Sequence, residues 1–283
     1  MPKRHELTDA AWGRIAPLLP RDPRRGERWR DHRTVINGIL WKLSTGVPWR
    51  DVPERYGPWQ TLHARLLRWQ RDGTWTTLLR HAQQHADAVG DVVWEVGIDS
   101  TVVRAHQHAA GAPKRGASRR KSQAANALGR SRGGLSTKLH LACDGKARPL
   151  AVLPTPGQRH ESTQLEAVLD AIGVPRAGRG RPRKRPTLLL GDKGYSYERC
   201  RTALRQRGIP HVIPERSDQR ARRAHRPGRK PAFDATTYRR RNVVERCVAR
   251  LKQFRALATR YDKTIDAYHG LVTLASLLLW LPR

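Results

Sequence analysis

The hydrophobic period of this chain changes near residue 85, and the change divides it into two units of different construction, 1–85 and 86–283. The first unit reads as helical throughout. Thr8 can cap a helix with Asp9 in its first turn, and Trp12, Ile15 and Leu18 or Leu19 make an apolar stripe before Pro20. In "HRTVINGILWKLSTGVPW", Ile36, Ile39, Leu40 and Leu43 share a face, and Gly46 with Pro48 marks the stop. "WRDVPERYGPWQTLHARLLRWQRDG" gives a short helix, a break at Gly57-Pro58, and a second helix with Leu62, Leu66 and Trp69 on one face and Arg65, Arg68 and Arg71 elsewhere. Two readings stay open for this pair: a helix-turn-helix-like module that lays its second helix in a DNA major groove, or an ordinary helical hairpin.

Past residue 85 the pattern alternates strand and helix. "GDVVWEVGIDSTVVRAH" is rich in β-branched residues and reads as a strand from Val92 to Val103 with Asp99 inside it, where an acid is costly unless it is used. "AAGAPKRGASRRKSQAANALGRSRGG" has the composition of a basic loop. "LSTKLHLACD" turns at Asp144-Gly145 into "KARPLAVLPTPG", a hairpin, and the amphipathic helix "ESTQLEAVLDAIGV" follows. "TLLLGDKGY" is a short apolar strand ending at Asp192. The helix "YERCRTALRQRG", the strand "PHVIPE", an arginine- and proline-rich loop and a long helix from Thr236 to Gln253 complete the order. A strand hairpin first and strand-helix alternation afterwards suit a ribonuclease-H-like α/β plan: a mixed sheet with flanking helices, preceded by a small all-α domain.

Charge points to the partner. Fifty-six Lys and Arg against 24 Asp and Glu leave a formal charge of +32, which suits double-stranded DNA or another nucleic acid. Cys143, Cys200 and Cys247 lie far apart without a CxxC pair, so neither a zinc module nor a disulfide framework is encoded, and the chain reads as cytoplasmic. The longest apolar run, "LVTLASLLLWL", is too short to span a bilayer and reads as a buried closing helix.

The helix from Thr236 to Gln253 holds five arginines and one lysine but a single acid, Glu245. On a helical wheel Tyr238, Arg241, Glu245 and Lys252 share an arc of roughly 60°. Val244, Val248 and Leu251 gather on the face that can pack on a sheet, with Arg239, Arg246 and Arg250 on the far side. The plainer reading gives Glu245 a salt bridge to Arg241, four residues before it. The sharper reading joins Glu245 to Asp99 and Asp192, because neighbouring strands can bring both beside the helix. Three convergent carboxylates repel unless cations neutralise them, and a pair of Mg²⁺ ions about 3.5–4 Å apart can clamp a scissile phosphate.

These residues carry a resemblance: the chain is similar to bacterial insertion-sequence transposases of the insertion-sequence-five family, with their three-acid (DDE) catalytic core. In that family the last acid lies in Tyr-x2-Arg-x3-Glu-x6-Lys, and Tyr238, Arg241, Glu245 and Lys252 match every spacing. "GIDSTVVRAH" and "LLGDKGYS" resemble the segments of the first two acids, with Ser196 standing where an acid is expected. "GRSRGGLSTKLHL", "TPGQRHES" and the N-terminal "GVPWRDVPERYGPWQTLHARLLRW" also resemble family segments. The resemblance implies that Asp99, Asp192 and Glu245 are catalytic metal ligands for two Mg²⁺ ions, with Mn²⁺ as a substitute. It implies that Arg241 and Lys252 contact DNA phosphate with Tyr238 near them, and that the enzyme exposes 3′-hydroxyls at element ends and directs their attack on target DNA. A homodimer on DNA is expected, because two ends must be cut together.

Weaker candidates have plain alternatives. Lys193, beside Asp192, can touch a phosphate or simply face solvent. His106 and His108 fit surface packing better than a metal site, and Glu161 after His160 serves equally as a helix N-terminal charge. Trp41, Trp49, Trp59 and Trp69 fit the small core of the helical unit. The main rivals in function are a DNA-binding regulator, or a decayed transposase, that binds element ends without cutting, and a resolvase-type nuclease that cuts without joining.

Overall fold

The helical region begins as its capping residues dictate, in a computed structural model that describes residues 5–21, 28–111, 123–225 and 233–282. Helix α1 (Asp9–Ile15) starts at Thr8, whose hydroxyl accepts a hydrogen bond from the Ala11 amide at 3.1 Å. Helix α2 (His32–Thr45) ends at Gly46 with φ 74°, the left-handed cap that glycine adopts without a steric cost. Two 3₁₀ turns, Trp49–Asp51 and Glu54–Tyr56, stand where a short helix is expected. Helices α3 (Trp59–Arg71) and α4 (Thr74–Ala88) follow. Trp69 is fully buried, edge to face with Trp75 at 5.0 Å, and Trp41 and Trp49 pack half-buried against the core; Trp59, expected there too, is half-buried outside it.

A seven-stranded mixed sheet makes the second part. Its centre is β1 (Glu95–Ala105), the β-branched run. On one side β3 (Gly134–Cys143) pairs antiparallel with β1, and β2 (Gly129–Ser131) and β4 (Pro149–Pro156) both pair with β3. On the other side β5 (Leu188–Gly191) runs parallel to β1, and β6 (His211–Val212) runs parallel to β5. Helix α5 (Leu165–Ala171) leads into β5, and α6 (Glu198–Gln206) connects β5 to β6. After α7 (Ser217–Ala224), α8 (Ala235–Arg239), α9 (Asn242–Lys252) and α10 (Arg255–Ala258), the two-residue strand β7 (Thr259–Arg260) pairs with the end of β1. Helix α11 (Ile265–Leu278) closes the chain, buried as its apolar run requires.

Three expectations change. The segment expected as a basic loop contains β2, and its centre, 112–122, lies outside the described residues. The arginine- and proline-rich loop contains α7, and 226–232 lie outside the described residues. The helix expected from Thr236 to Gln253 is two helices, because the Arg241 and Val243 amides bond back to Tyr238 and Arg240 in the tighter i to i−3 pattern. The apolar face survives the break: Val243, Val244, Cys247 and Leu251 are buried, each Val or Leu contributing about 1.5–3 kcal/mol.

The helical region is tied to the sheet. Helix α11 packs on α3 and α4, the Gln83 amide of α4 donates to the Pro149 and Leu150 carbonyls at 3.1 and 3.2 Å, and one buried apolar cluster runs from Leu7 to Leu281. Among the described residues the three cysteines are buried and free, and no helix is long and apolar enough to cross a membrane.

Candidate active site

Two features of β1 build the site. The first is register: Ile98 lies opposite Gly191 in the parallel pairing with β5, so Asp99, the next residue of β1, and Asp192, the first residue after β5, come side by side. The second is Gly97, which points to the same face as Asp99. A Cβ at Gly97 would come within 3.0 Å of Val244 Cβ and 3.1 Å of Val243 Cγ1, so the missing side chain lets α9 rest directly on the strand. That seating delivers the residues of the first turn of α9 to Asp99.

Arg241 makes the junction. Its Nη1 donates to Asp99 Oδ2 at 3.0 Å and its Nη2 to Glu245 Oε1 at 2.5 Å, while the guanidinium stands 5.8 Å from the Tyr238 ring centre. The i−4 salt bridge expected for Glu245 is therefore present, and the same guanidinium reaches the first acid as well. Asp99 is largely enclosed, at 22% side-chain exposure, and Glu245 faces outward at 55%. Asp192 caps the 3₁₀ turn Lys193–Tyr195, accepting from the Gly194 amide at 2.8 Å.

Burial governs the electrostatics of the site. Burial pushes the Asp99 carboxyl above the usual carboxylate range, and the negative charge of Asp192 adds to it. Burial likewise raises Asp192, against the pull of the Gly194 amide and Arg241. Burial would depress Arg241, but Asp99, Tyr238 and Glu245 outweigh it and hold the guanidinium more firmly protonated than usual.

The remaining expected site residues are distributed as follows. Lys252, at the end of α9, points its Nζ to the Val102 carbonyl at 3.5 Å, along the same strand as Asp99. Lys193 is exposed beside Asp192. Arg68 is exposed on α3 with its guanidinium 5.2 Å from the Trp29 ring centre. Arg65, expected off the apolar face, is buried: its guanidinium lies 4.3 Å from the Trp29 ring centre and bonds His32 Nδ1 at 2.7 Å. His106 and His108 stand 4.4 Å apart, with His106 stacked on Tyr261, away from the acids.

Two neighbours of the acids carry more than the sequence suggests. Glu161 accepts from Ser100 Oγ at 3.2 Å and from Lys138 Nζ at 3.1 Å, and its charge reaches Asp192. Tyr195 is fully buried with an unpartnered hydroxyl; burial raises its phenol far above the usual value, and Asp99, Asp192 and Glu161 add to this. The Gly-Tyr after Asp192 was the available signal, but nothing in the sequence marks that phenol as enclosed.

A family model described as "Transposase DDE domain" matches residues 95–280. The chain belongs to that family. A second model, described as "Putative transposase of IS4/5 family", matches residues 7–79, the helical region. Among curated proteins, the chain is 36% identical over 143 residues to a "Putative transposase for insertion sequence element IS402" of Burkholderia cepacia, which covers 50% of this chain and 62% of that protein's length. It is 28% identical over 151 residues to a "Putative transposase for insertion sequence element IS6501" of Brucella ovis, 52% of this chain and 99% of that protein. An "Uncharacterized protein y4sN" of Sinorhizobium fredii is 39% identical over 108 residues, 38% of this chain and 82% of that protein. No solved structure matches the chain significantly. The mixed sheet of this transposase, in which β1 to β4 pair antiparallel and β5, β6 and β7 join in parallel, is the ribonuclease-H-like plan that the family carries.

The DDE family implies a divalent metal. Among the described residues no three acidic, imidazole or thiol side chains are grouped closely enough to hold an ion as they stand. The chemistry of the donors nevertheless fits. Asp99 and Asp192 offer hard oxygens side by side, the carboxyls of both raised by burial, and the Arg241 guanidinium stands as a cation between Asp99 and Glu245.

Proposed function

We propose that this transposase hydrolyses DNA at the ends of its element and transfers the freed 3′-hydroxyls to target DNA, using Asp99, Asp192 and Glu245 as the ligands of two Mg²⁺ ions, replaceable by Mn²⁺. The observation that carries the reading is the pairing of Asp99 with Asp192 by strand register while Arg241 ties Asp99 to Glu245. Bound divalent ions supply a lowered pKa for the attacking hydroxyl and a counter-charge for the leaving oxygen. The protein's own part is placement. The strand pair fixes two carboxylates, α9 carries the third and, about two turns along, the cation Lys252 for a flanking phosphate. Tyr238 packs by the Arg241 guanidinium, and Lys193 and Arg68 add exposed positive charge for the DNA backbone.

The helical unit 1–85 serves in this reading as the DNA-binding part, and 86–283 as the catalytic part. The active form is a homodimer on the two ends of the element, working on double-stranded DNA in the bacterial cytoplasm, at the nucleoid.

Single alanine replacements of Asp99, Asp192 and Glu245 test the reading on a duplex carrying the element ends. Each is expected to abolish Mg²⁺-dependent cleavage and 3′-end joining while end binding, read by gel shift, persists. Cleavage that survives any of the three overturns the assignment. A wild-type protein that binds the ends and never cuts, in Mg²⁺ or Mn²⁺, favours the non-cutting regulator.

A further inference from the structure

Arg241 occupies the place of a cation. One guanidinium spans Asp99 Oδ2 and Glu245 Oε1, 3.0 and 2.5 Å from its two terminal nitrogens, and its charge is felt by Asp192 as well. It does so from the N-cap position of α9, where the helix dipole disfavours positive charge, so the acids and not the helix hold it there. A planar fork is suited to this double contact, and equally suited to the oxygens of a phosphate.

We propose that Arg241 is a positioning residue that acts as an internal counter-ion, holding Asp99 and Glu245 in the DNA-free protein in competition with divalent metal and releasing them when a DNA phosphate takes the guanidinium. The inference rests on the assignment of these acids as metal ligands. Its content is a linkage. While the guanidinium is on the carboxylates, an ion must displace it. Once a phosphate removes it, the carboxylates repel one another and accept the ion readily. By reciprocity, bound metal frees Arg241 for DNA, so each ligand strengthens the other. The transposase thereby holds little metal until DNA is in place, which suppresses cutting away from a bound end.

Mn²⁺ binding measured by titration calorimetry or by electron paramagnetic resonance, without DNA, tests this apart from activity. Arg241→Gln, which keeps hydrogen-bonding groups and loses the charge, is expected to bind Mn²⁺ at least about fivefold more tightly than wild type, the low end of ordinary coupling between sites. Arg241→Lys, a point charge unable to span both acids, is expected to fall between them. A short non-specific duplex is expected to tighten Mn²⁺ binding more in wild type than in Arg241→Gln. Thermal melting of each variant confirms that it is folded. Equal or weaker Mn²⁺ binding by folded Arg241→Gln overturns the proposal while leaving the metal assignment intact. Undiminished Mn²⁺ binding on adding Asp99→Asn to Arg241→Gln removes the metal assignment, and the proposal with it.

Discussion

Asp192 stands beside Asp99 because Gly191 lies opposite Ile98 in a parallel strand pair. Asp99 is held inside β1, and Asp192 directly after β5, where the 3₁₀ turn Lys193–Tyr195 fixes its carboxylate through the Gly194 amide. The third acid is placed differently, by a helix resting on β1 at Gly97.

That seating gives a direct prediction. Gly97→Ala introduces a methyl 3.0 Å from Val244 Cβ and 3.1 Å from Val243 Cγ1, tighter than ordinary packing, so α9 or the strand must give way slightly. The expected loss is about 1–3 kcal/mol by chemical denaturation, with reduced cleavage because Glu245 moves with its helix. Adding Val243→Ala, which removes the Cγ1 that lies 3.1 Å from the new methyl, is expected to cost less than its own single loss, since it relieves part of the obstruction; strict additivity of the two would contradict the contact.

The arginines of α3 separate by burial. Arg65→Gln removes a guanidinium enclosed by Trp29, Trp69 and His32, and is expected to lower stability by about 1–3 kcal/mol. Arg68→Gln, at an exposed position, is expected to change stability by less than about 0.5 kcal/mol. It is also expected to weaken DNA binding and reduce its salt slope by about one ion. Fluorescence anisotropy across a salt series reads the second effect, and an unaltered slope removes Arg68 from the DNA interface.

His140 predicts an acid-labile sheet. It is wholly buried on β3, its Nε2 bonded to Thr155 Oγ1 at 2.9 Å, and burial with nearby Lys138 lowers its pKa from 6.5 to about 4. A folded-state pKa below the unfolded one means that the neutral ring stabilises the fold above pH 6.5 and that this contribution is lost as pH falls towards 4. The gap corresponds to about 3 kcal/mol at most. Urea denaturation at a series of pH values is expected to show the decline between pH 6.5 and 4 in wild type and a shallower one in His140→Gln. Parallel slopes would contradict it.

How much of this was legible beforehand follows from the physics of each element. The β-branched run fixes β1, and an acid inside it or at the tip of a short apolar strand stands out, so Asp99 and Asp192 are visible without coordinates. The inward face of α9 is visible because it follows helical spacing. The break at Arg240–Arg241 is not, since neither glycine nor proline marks it and both residues keep right-handed helical angles. Wheel geometry that assumes one straight helix therefore places Tyr238 only approximately. Arg65 is misread for a related reason: a basic residue on a helix reads as surface until tryptophans from elsewhere, Trp29 and Trp69, enclose it. The two-residue strand β7 and the enclosed Tyr195 phenol depend wholly on tertiary contacts.

The central claim, that this sheet and helix present carboxylates to divalent ions, is tested most directly by anomalous diffraction from crystals of the protein grown with Mn²⁺ and a short duplex. The expected result is a Mn²⁺ peak within about 2.1 Å of oxygens from both Asp99 and Asp192, close to the Mg²⁺ coordination distance, with Arg241 turned away from Asp99. A Mn²⁺-saturated, DNA-bound crystal in which no ion touches Asp99 or Asp192, and Arg241 still joins Asp99 to Glu245, would contradict the account.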